Sequence, residues 1–340
     1  MSNAEDPEGQ QAPQGAKASQ GASGTKGACT LALDIGGTKI AYGFIDDAHP
    51  TTIRHQGTVP SQPPGVLIAD QVDLAIRQAL KKAQPARVGI GAPGVVRAPG
   101  GEIIYNGGTI PGWAGTDLSG IVHRYTNAPV ACHNDVRIWA YGEHHLGAGK
   151  DFPDHARLLY LSLGTGVGGA FIVPGGQLAV GPTGSAGEVS ELVCADCRGM
   201  ADRVENIASG PSLARYYATL AADPTHRGRI PWSDPNECPI SLPEVMDRYD
   251  AGDALAKRII EGNLRGLGRT LGALASALDL SGIVLGGGVS HIGTRIIDPI
   301  AHGLEDAALT PNKNIPLVPS RLGAHAPLIA AAQYARDNSQ

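Results

Sequence analysis

The stretch Thr30–Asp46 reads TLALDIGGTKIAYGFID: an apolar run, a Gly-Gly turn, then KIAYGFI, in which apolar and other residues alternate. That pattern predicts strand, tight turn, strand. It recurs at Ala156–Ala179, ARLLYLSLGTGVGGAFIVPGGQLA, so each half of the chain opens on a glycine hairpin. The repetition predicts a duplicated α/β nucleotide fold of two lobes, with the ligand in the cleft between them. Glycine suits such turns because a main chain without Cβ can approach a phosphate closely and aim its N–H groups at it. The phosphate-contacting candidates are Gly36, Gly37, Thr38 and Lys39 in the first turn and Gly164, Thr165 and Gly166 in the second. Gly287 and Gly288, in the later run SGIVLGGGVS, join them. Asp34 stands where it could hold a hydrated Mg²⁺ against those phosphates.

Two other nucleotide motifs fail on context. Gly164, Gly166 and Gly169 have the G-x-G-x-x-G spacing, but a dinucleotide fingerprint needs a helix to start there so that its N-terminus meets the pyrophosphate. Here the strand-like AFIVPGG follows. No G-x-x-x-x-G-K-[ST] occurs, which removes the Walker A loop.

Between the hairpins, Ala69–Lys82 is helix-like and RVGIGA (Arg87–Ala92) reads as a buried strand. Pro93–Trp113 reads as a loop, and Leu118–Tyr125 as an amphipathic helix. APVACHNDVRIWAYGEHHLG then predicts a short strand, a polar turn at Asn134-Asp135 and a helix. Asp135 is the sharpest catalytic candidate, although an Asp at that position is equally suited to cap the helix. Beside it, His133 could tune the carboxylate or simply pack. Ala221–Pro239 is a Pro- and Asp-rich loop, and Asp253–Asp279 has helical periodicity. The expected organisation is a disordered extension over 1–28, poor in residues to bury. A smaller N-terminal lobe over 29–145, a larger one over 146–325, and a C-terminal helix and tail over 326–340 follow.

Composition limits the partners. The 340 residues carry a formal charge of −5, with 42% hydrophobic residues, 47 glycines and five cysteines. An acidic balance argues against nucleic acid or a membrane surface as partner. Neither a membrane-spanning apolar run nor a signal-peptide pattern is visible. An odd, irregular set of cysteines makes no disulfide framework, so a reducing cytoplasm is the expected setting.

Taken together, the motifs resemble the ROK family of sugar kinases, in the actin-like ATPase (ribonuclease H-like) superfamily. LALDIGGTKIAYGFID resembles that family's first phosphate hairpin, LSLGTGVGGAFI its second, and GIVLGGGVS its adenosine-side loop. GIGAPGVV, TIPGWAGTDL and HNDVRIWAYGEHHLGAG resemble its next strand and loop, its N-L-P-x-W-like loop, and the segment with its catalytic Asp. The resemblance runs from about Thr30 to Ala332. It implies transfer of the ATP γ-phosphoryl group to a sugar hydroxyl, with ATP and Mg²⁺ and commonly as a homodimer. Asp135 would be the base, and Asn134, Glu188, Glu205 and Gly94 would face the sugar. A glucokinase and an N-acetylmannosamine kinase fit equally.

One segment departs from the family pattern, in which A-G-E-[IV]-G-H is followed by C-x-C-G-x-x-G-C-x-E and the His and three Cys hold a structural zinc. Here AGEVSE keeps Glu188 but puts Glu191 in place of the His. Counting back from Glu205, Asp196, Arg198 and Arg203 stand at the three Cys positions, and Cys194 and Cys197 fall out of register. Two thiolates do not complete a tetrahedral site, so zinc is not expected, and the thiols are expected to be reduced and partly buried. Glu191 would add an acceptor and a negative charge beside the sugar, which leaves open a catalytically weak sugar-binding protein. A sugar-responsive regulator would need a helix-turn-helix module that the 28-residue polar extension does not supply.

Overall fold

A computed structural model describes residues 28–107, 110–231 and 237–339. The disorder expected for residues 1–28 lies, Ala28 apart, outside them. The first half runs β1 (Cys29–Ile35), β2 (Lys39–Asp46), β3 (Ile53–Pro60), α1 (Ile68–Leu80), β4 (Arg87–Ala92), β5 (Val95–Arg97) and β6 (Glu102–Tyr105). It continues with α2 (Leu118–His123) and β7 (Val130–Asn134), which leads directly into α3 (Asp135–Leu146). The second half runs β8 (Leu158–Leu163), β9 (Val167–Val173), β10 (Gln177–Leu178), the ribbon β11 (Val193–Ala195) and β12 (Ala201–Arg203), α4 (Val204–Ala208) and α5 (Gly210–Ala222). Then come α6 (Leu242–Asp250), α7 (Ala254–Leu278), β13 (Gly282–Gly286), α8 (Thr294–Ala307), β14 (Leu317–Pro319) and α9 (Ala326–Asn338).

The repeat seen in the sequence is a repeat of topology. One sheet has the order β3-β2-β1-β4-β7 and the other β10-β9-β8-β13-β14. In each, a glycine hairpin is antiparallel (β1 with β2, β8 with β9), its first strand pairs parallel with one further strand (β4, β13), and that strand pairs parallel with the last (β7, β14). Parallel strands need cover on both faces. Alternation along β1 shows it: Leu31, Leu33 and Ile35 pack with α1 and α2, whereas Ala32 faces α3 and α9. In the second sheet Leu159, Leu161 and Leu163 face the helical layer of α4 to α8, while Leu158 and Tyr160 face back toward α3. Helix α3, which begins with Asp135, therefore has residues in the core of each sheet.

Helix α9 completes the first layer. Of the segment expected as a C-terminal helix and tail, 326–340, the helix Ala326–Asn338 packs against β1, β4 and α3. Small side chains allow this: Ala330, Ala331, Ala332 and Ala335 are fully buried, and any Cβ at Gly89 of β4 would collide with the carbonyl of Ala331. The loop expected at Pro93–Trp113 also needs correction, since it contains the β5–β6 ribbon, with Val96 and Ile103 buried. Its prolines and glycines hid an apolar pattern only three or four residues long on each side. Among the described residues, no helix is long and apolar enough to cross a membrane.

Candidate active site

Three adjoining cavities lie along the ends of the hairpins. The first, about 570 Å³, is lined by Gly94, Asn134, Asp135, the Gly164–Gly166 turn, and Glu188, Glu191 and Glu205. A second, about 360 Å³, is lined by Asp34, Gly36, Asp135, Gly287 and Gly288. The third, also about 360 Å³, has Gly164, Thr165 and Gly288 at one side and an apolar wall of Ala214, Ile240, Leu242 and Val289. Shared walls join them: Asp135 belongs to the first two, Gly164 and Thr165 to the first and third, and Gly288 to the second and third. Gly287 holds the junction, with φ +85° and no room for a Cβ against the carbonyl of Leu163. Gly37, Thr38 and Lys39 line none of the three and are exposed at the rim.

The β7–α3 junction separates two roles that the sequence left joined. Asn134 is the helix cap: its Oδ1 accepts the backbone N–H of Arg137 (3.1 Å), and its Nδ2 donates to Gly94 O (3.0 Å) and Asp135 Oδ1 (2.9 Å). Asp135 is thus relieved of capping, with Oδ1 held by Asn134 and by the Val136 N–H (2.9 Å). Burial pushes its carboxyl up to about 6, helped by the nearby Asp34. Asp34 is pushed up to about 6 for the same reason, against the pull of Lys39. Two half-buried carboxylates face this cavity, and Asp34 is a hard oxygen donor that suits hydrated Mg²⁺.

Each glutamate has a distinct anchor. Glu205 accepts the Val167 N–H at 2.6 Å, tying α4 to the second glycine hairpin, and burial raises its pKa. Glu188 pairs with Arg137 at 3.0 Å, and Arg137 is only 2% exposed. Glu191 accepts from Arg203 through both carboxylate oxygens (3.1 and 3.2 Å). The extra charge expected at Glu191 therefore meets a cation. Sequence reasoning missed Arg137, as well as Ser162, Ser190 and His291 in the cavity walls. Arg137 did leave a signal, an arginine on the buried stripe of α3 beside Ile138 and Tyr141.

A sequence profile described as the ROK family matches residues 30–338. The chain belongs to the ROK family. It is 31% identical over 290 residues to a glucokinase of Halalkalibacterium halodurans, covering 82% of this chain and 86% of that one. To an N-acetylmannosamine kinase of Escherichia coli it is 30% identical over 273 residues, 76% and 83% of the two chains. The solved structure of a ROK family glucokinase from Streptomyces griseus in complex with glucose and AMPPNP superposes with a TM-score of 0.71. That pair is 28% identical, covering 92% of this chain and 100% of that one. The fold is that of the actin-like ATPases.

Against the ROK zinc pattern, the four ligand positions of this chain hold two ion pairs. Glu191 meets Arg203, and Asp196 meets Arg198 at 2.5 Å with both side chains almost fully buried. Tyr216 also donates to Asp196 (3.1 Å), and Arg198 reaches the carbonyls of His226 and Gly228. Arginines at two of the four positions offer no lone pair to a metal, so this donor set does not fit zinc. Cys194 is buried, and Cys197 partly so, with its backbone N–H bonded to Asn263; burial raises both thiol pKa values.

Proposed function

We propose that this ROK family protein phosphorylates the 6-hydroxyl of an aldohexose or N-acetylhexosamine, with Asp135 as the base. The chain is an ATP-dependent sugar kinase of the hexokinase type. The observation that carries the assignment is the position of Asp135, the carboxylate common to the cavity with three glutamates and the cavity between the glycine turns. Sugar hydroxyls are good partners for carboxylate oxygens. Glu188, Glu205 and Glu191 would accept from them, with Asn134 and Gly94 shaping the wall. As the sugar oxygen attacks Pγ, its proton passes to Asp135 and the bond from Pγ to the bridging oxygen breaks, so that ADP leaves. Such base assistance is worth about 10²–10⁴-fold.

Most of the remaining rate would come from positioning and from donors directed at the phosphates. The turns at Thr165-Gly166 and Gly287-Gly288 would supply backbone N–H groups, those of Gly36 and Gly164 being spent on Lys39 O and Gly166 O, and the rim residues Gly37, Thr38 and Lys39 would reach the phosphates on lobe closure. Asp34 would hold Mg²⁺, which neutralises phosphate charge when bound. The apolar wall at Ala214, Ile240 and Leu242 suits the adenosine. The ionised Asp135 favours a working kinase over a sugar-binding protein without turnover. A coupled ADP assay with glucose, mannose, fructose, N-acetylglucosamine and N-acetylmannosamine identifies the acceptor, and no turnover on any of them would refute the proposal. A cytoplasmic homodimer is the proposed setting, checked by light scattering and cell fractionation.

A further inference from the structure

A fourth cavity, about 560 Å³, shares no lining residue with the three just described. Its walls include Val96, Ile104 and the loop Ala179–Gly184, and two of its residues, His133 and Arg137, flank Asn134-Asp135. Both are nearly inaccessible, at 3% and 2% exposure. Each also has a nitrogen without a partner among the described residues: His133 Nε2 and Arg137 Nη1. The Asn134 N–H donates to His133 Nδ1 at 2.8 Å, which places the ring proton on Nε2. Arg137 spends Nε on Ala186 O (3.1 Å) and Nη2 on Glu188 (3.0 Å), leaving both Nη1 hydrogens unused. Unmade hydrogen bonds of buried donors are costly, most of all on a cation, and such exceptions call for an occupant. Among the described residues no acidic side chain lines this cavity, although an adjoining one that shares Ala98, His133 and Val180 includes Asp337.

We propose that this cavity is a regulatory site for a phosphate-bearing metabolite, held by Arg137 and His133 and coupled to the sugar through Glu188. Three unused N–H donors match in number the three terminal oxygens of a phosphoryl group, whereas a carboxylate has two oxygens. The volume exceeds that of a bare phosphate and admits a sugar-sized remainder. Arg137 is the link: a dianion at Nη1 draws on the guanidinium charge that neutralises Glu188 across the shared side chain. Occupancy therefore weakens sugar binding, and by reciprocity sugar weakens the effector by the same factor. Because Asp135 takes its hydrogen bonds from Asn134 and Val136 instead, the chemical step is left intact. This coupling rests on the sugar-kinase assignment, whereas the existence of the site does not.

Calorimetry on the full chain tests the site. Inorganic phosphate and a hexose 6-phosphate are titrated separately with a non-hydrolysable ATP analogue saturating the glycine turns. The comparison variant is Val180→Glu, which puts a negative charge on a residue that lines the cavity, is 75% exposed and lies outside the reaction cleft. The expected result is one equivalent bound by the wild type and at least tenfold weaker binding by the variant. Heat from the ester alone identifies a sugar phosphate, and heat from both ligands shows that the phosphoryl group suffices. In turnover assays at matched ionic strength, the effector raises the sugar KM about fivefold at constant kcat in the wild type but not in Val180→Glu. Absence of binding, or equal binding by both proteins, overturns the site. A site that binds without moving KM overturns the coupling. Should no sugar be phosphorylated, the calorimetry still decides the site, separately from the kinase assignment.

Discussion

Asp135→Asn should abolish turnover and stabilise the empty protein, and the gain in stability should depend on pH. Burial moves the Asp135 carboxyl from 3.8 to about 6, so keeping it ionised at pH 8 costs the folded state about 3 kcal/mol at most. The residue is only half-buried, open to water on its cleft side, which reduces the expected gain to about 1–3 kcal/mol. Asparagine keeps the oxygen that accepts from Asn134 and Val136, so the substitution removes the charge without removing the anchor. The sign follows from linkage. A carboxyl whose folded pKa is raised holds its proton longer in the folded state, so stability falls as pH rises from about 4 to about 6 and the deficit is complete above that. The mutant's advantage should therefore be near zero at pH 4 and full at pH 8, where it corresponds to a rise in Tm of several degrees. Thermal and urea unfolding from pH 4 to 8, with a coupled ADP assay on the same samples, measure both effects. A variant no more stable at pH 8, a gain that does not vary with pH, or turnover near the wild-type rate would each refute the reasoning.

Three further outcomes follow from the same geometry. Because Asp135 must be ionised to accept a proton, kcat/KM should fall up to about tenfold per pH unit below about 6, and a profile flat from pH 5 to 8 would count against the base. Asp196→Asn strands the buried Arg198 and should cost about 3–5 kcal/mol in urea unfolding; a loss below 1 kcal/mol would show that Tyr216 and the backbone carbonyls suffice. A chelator should leave Tm unchanged, whereas the combined variant Glu191→His, Asp196→Cys, Arg198→Cys and Arg203→Cys should bind one zinc per chain by elemental analysis. A chelator-sensitive wild type would sink the claim that ion pairs have taken the metal's place.

Signals that are local in sequence were the ones that could be read. The glycine hairpins at Gly36-Gly37 and Gly164–Gly166 announce themselves by apolar strands on either side of residues that allow a tight turn, and β1, β2, β8 and β9 follow. The run Asp253–Asp279 likewise becomes α7, started by Asp253 accepting from Leu255 and Ala256. Pairings across the chain could not be read. Glu191 looked like a bare charge because Arg203, its partner, lies twelve residues on, at the end of the far strand of a ribbon too short to show periodicity. The packing of α9 on β4 depends on Gly89 having no side chain, a fact about a residue more than two hundred positions away.

Asn134-Asp135 shows where the boundary between these signals lies. A polar pair between strand and helix predicts that one residue caps and the other is free, but either can cap. The structure resolves the choice through Gly94, whose carbonyl takes one hydrogen of the Asn134 amide while the other side of that amide accepts from Arg137. An aspartate in place of Asn134 could accept from Arg137 but not donate to Gly94, and an asparagine in place of Asp135 could keep the backbone bond but not take a proton. Order within the pair therefore matters more than composition: the amide builds the turn, and the carboxylate is left facing the cleft at a pKa where it can still act as a base.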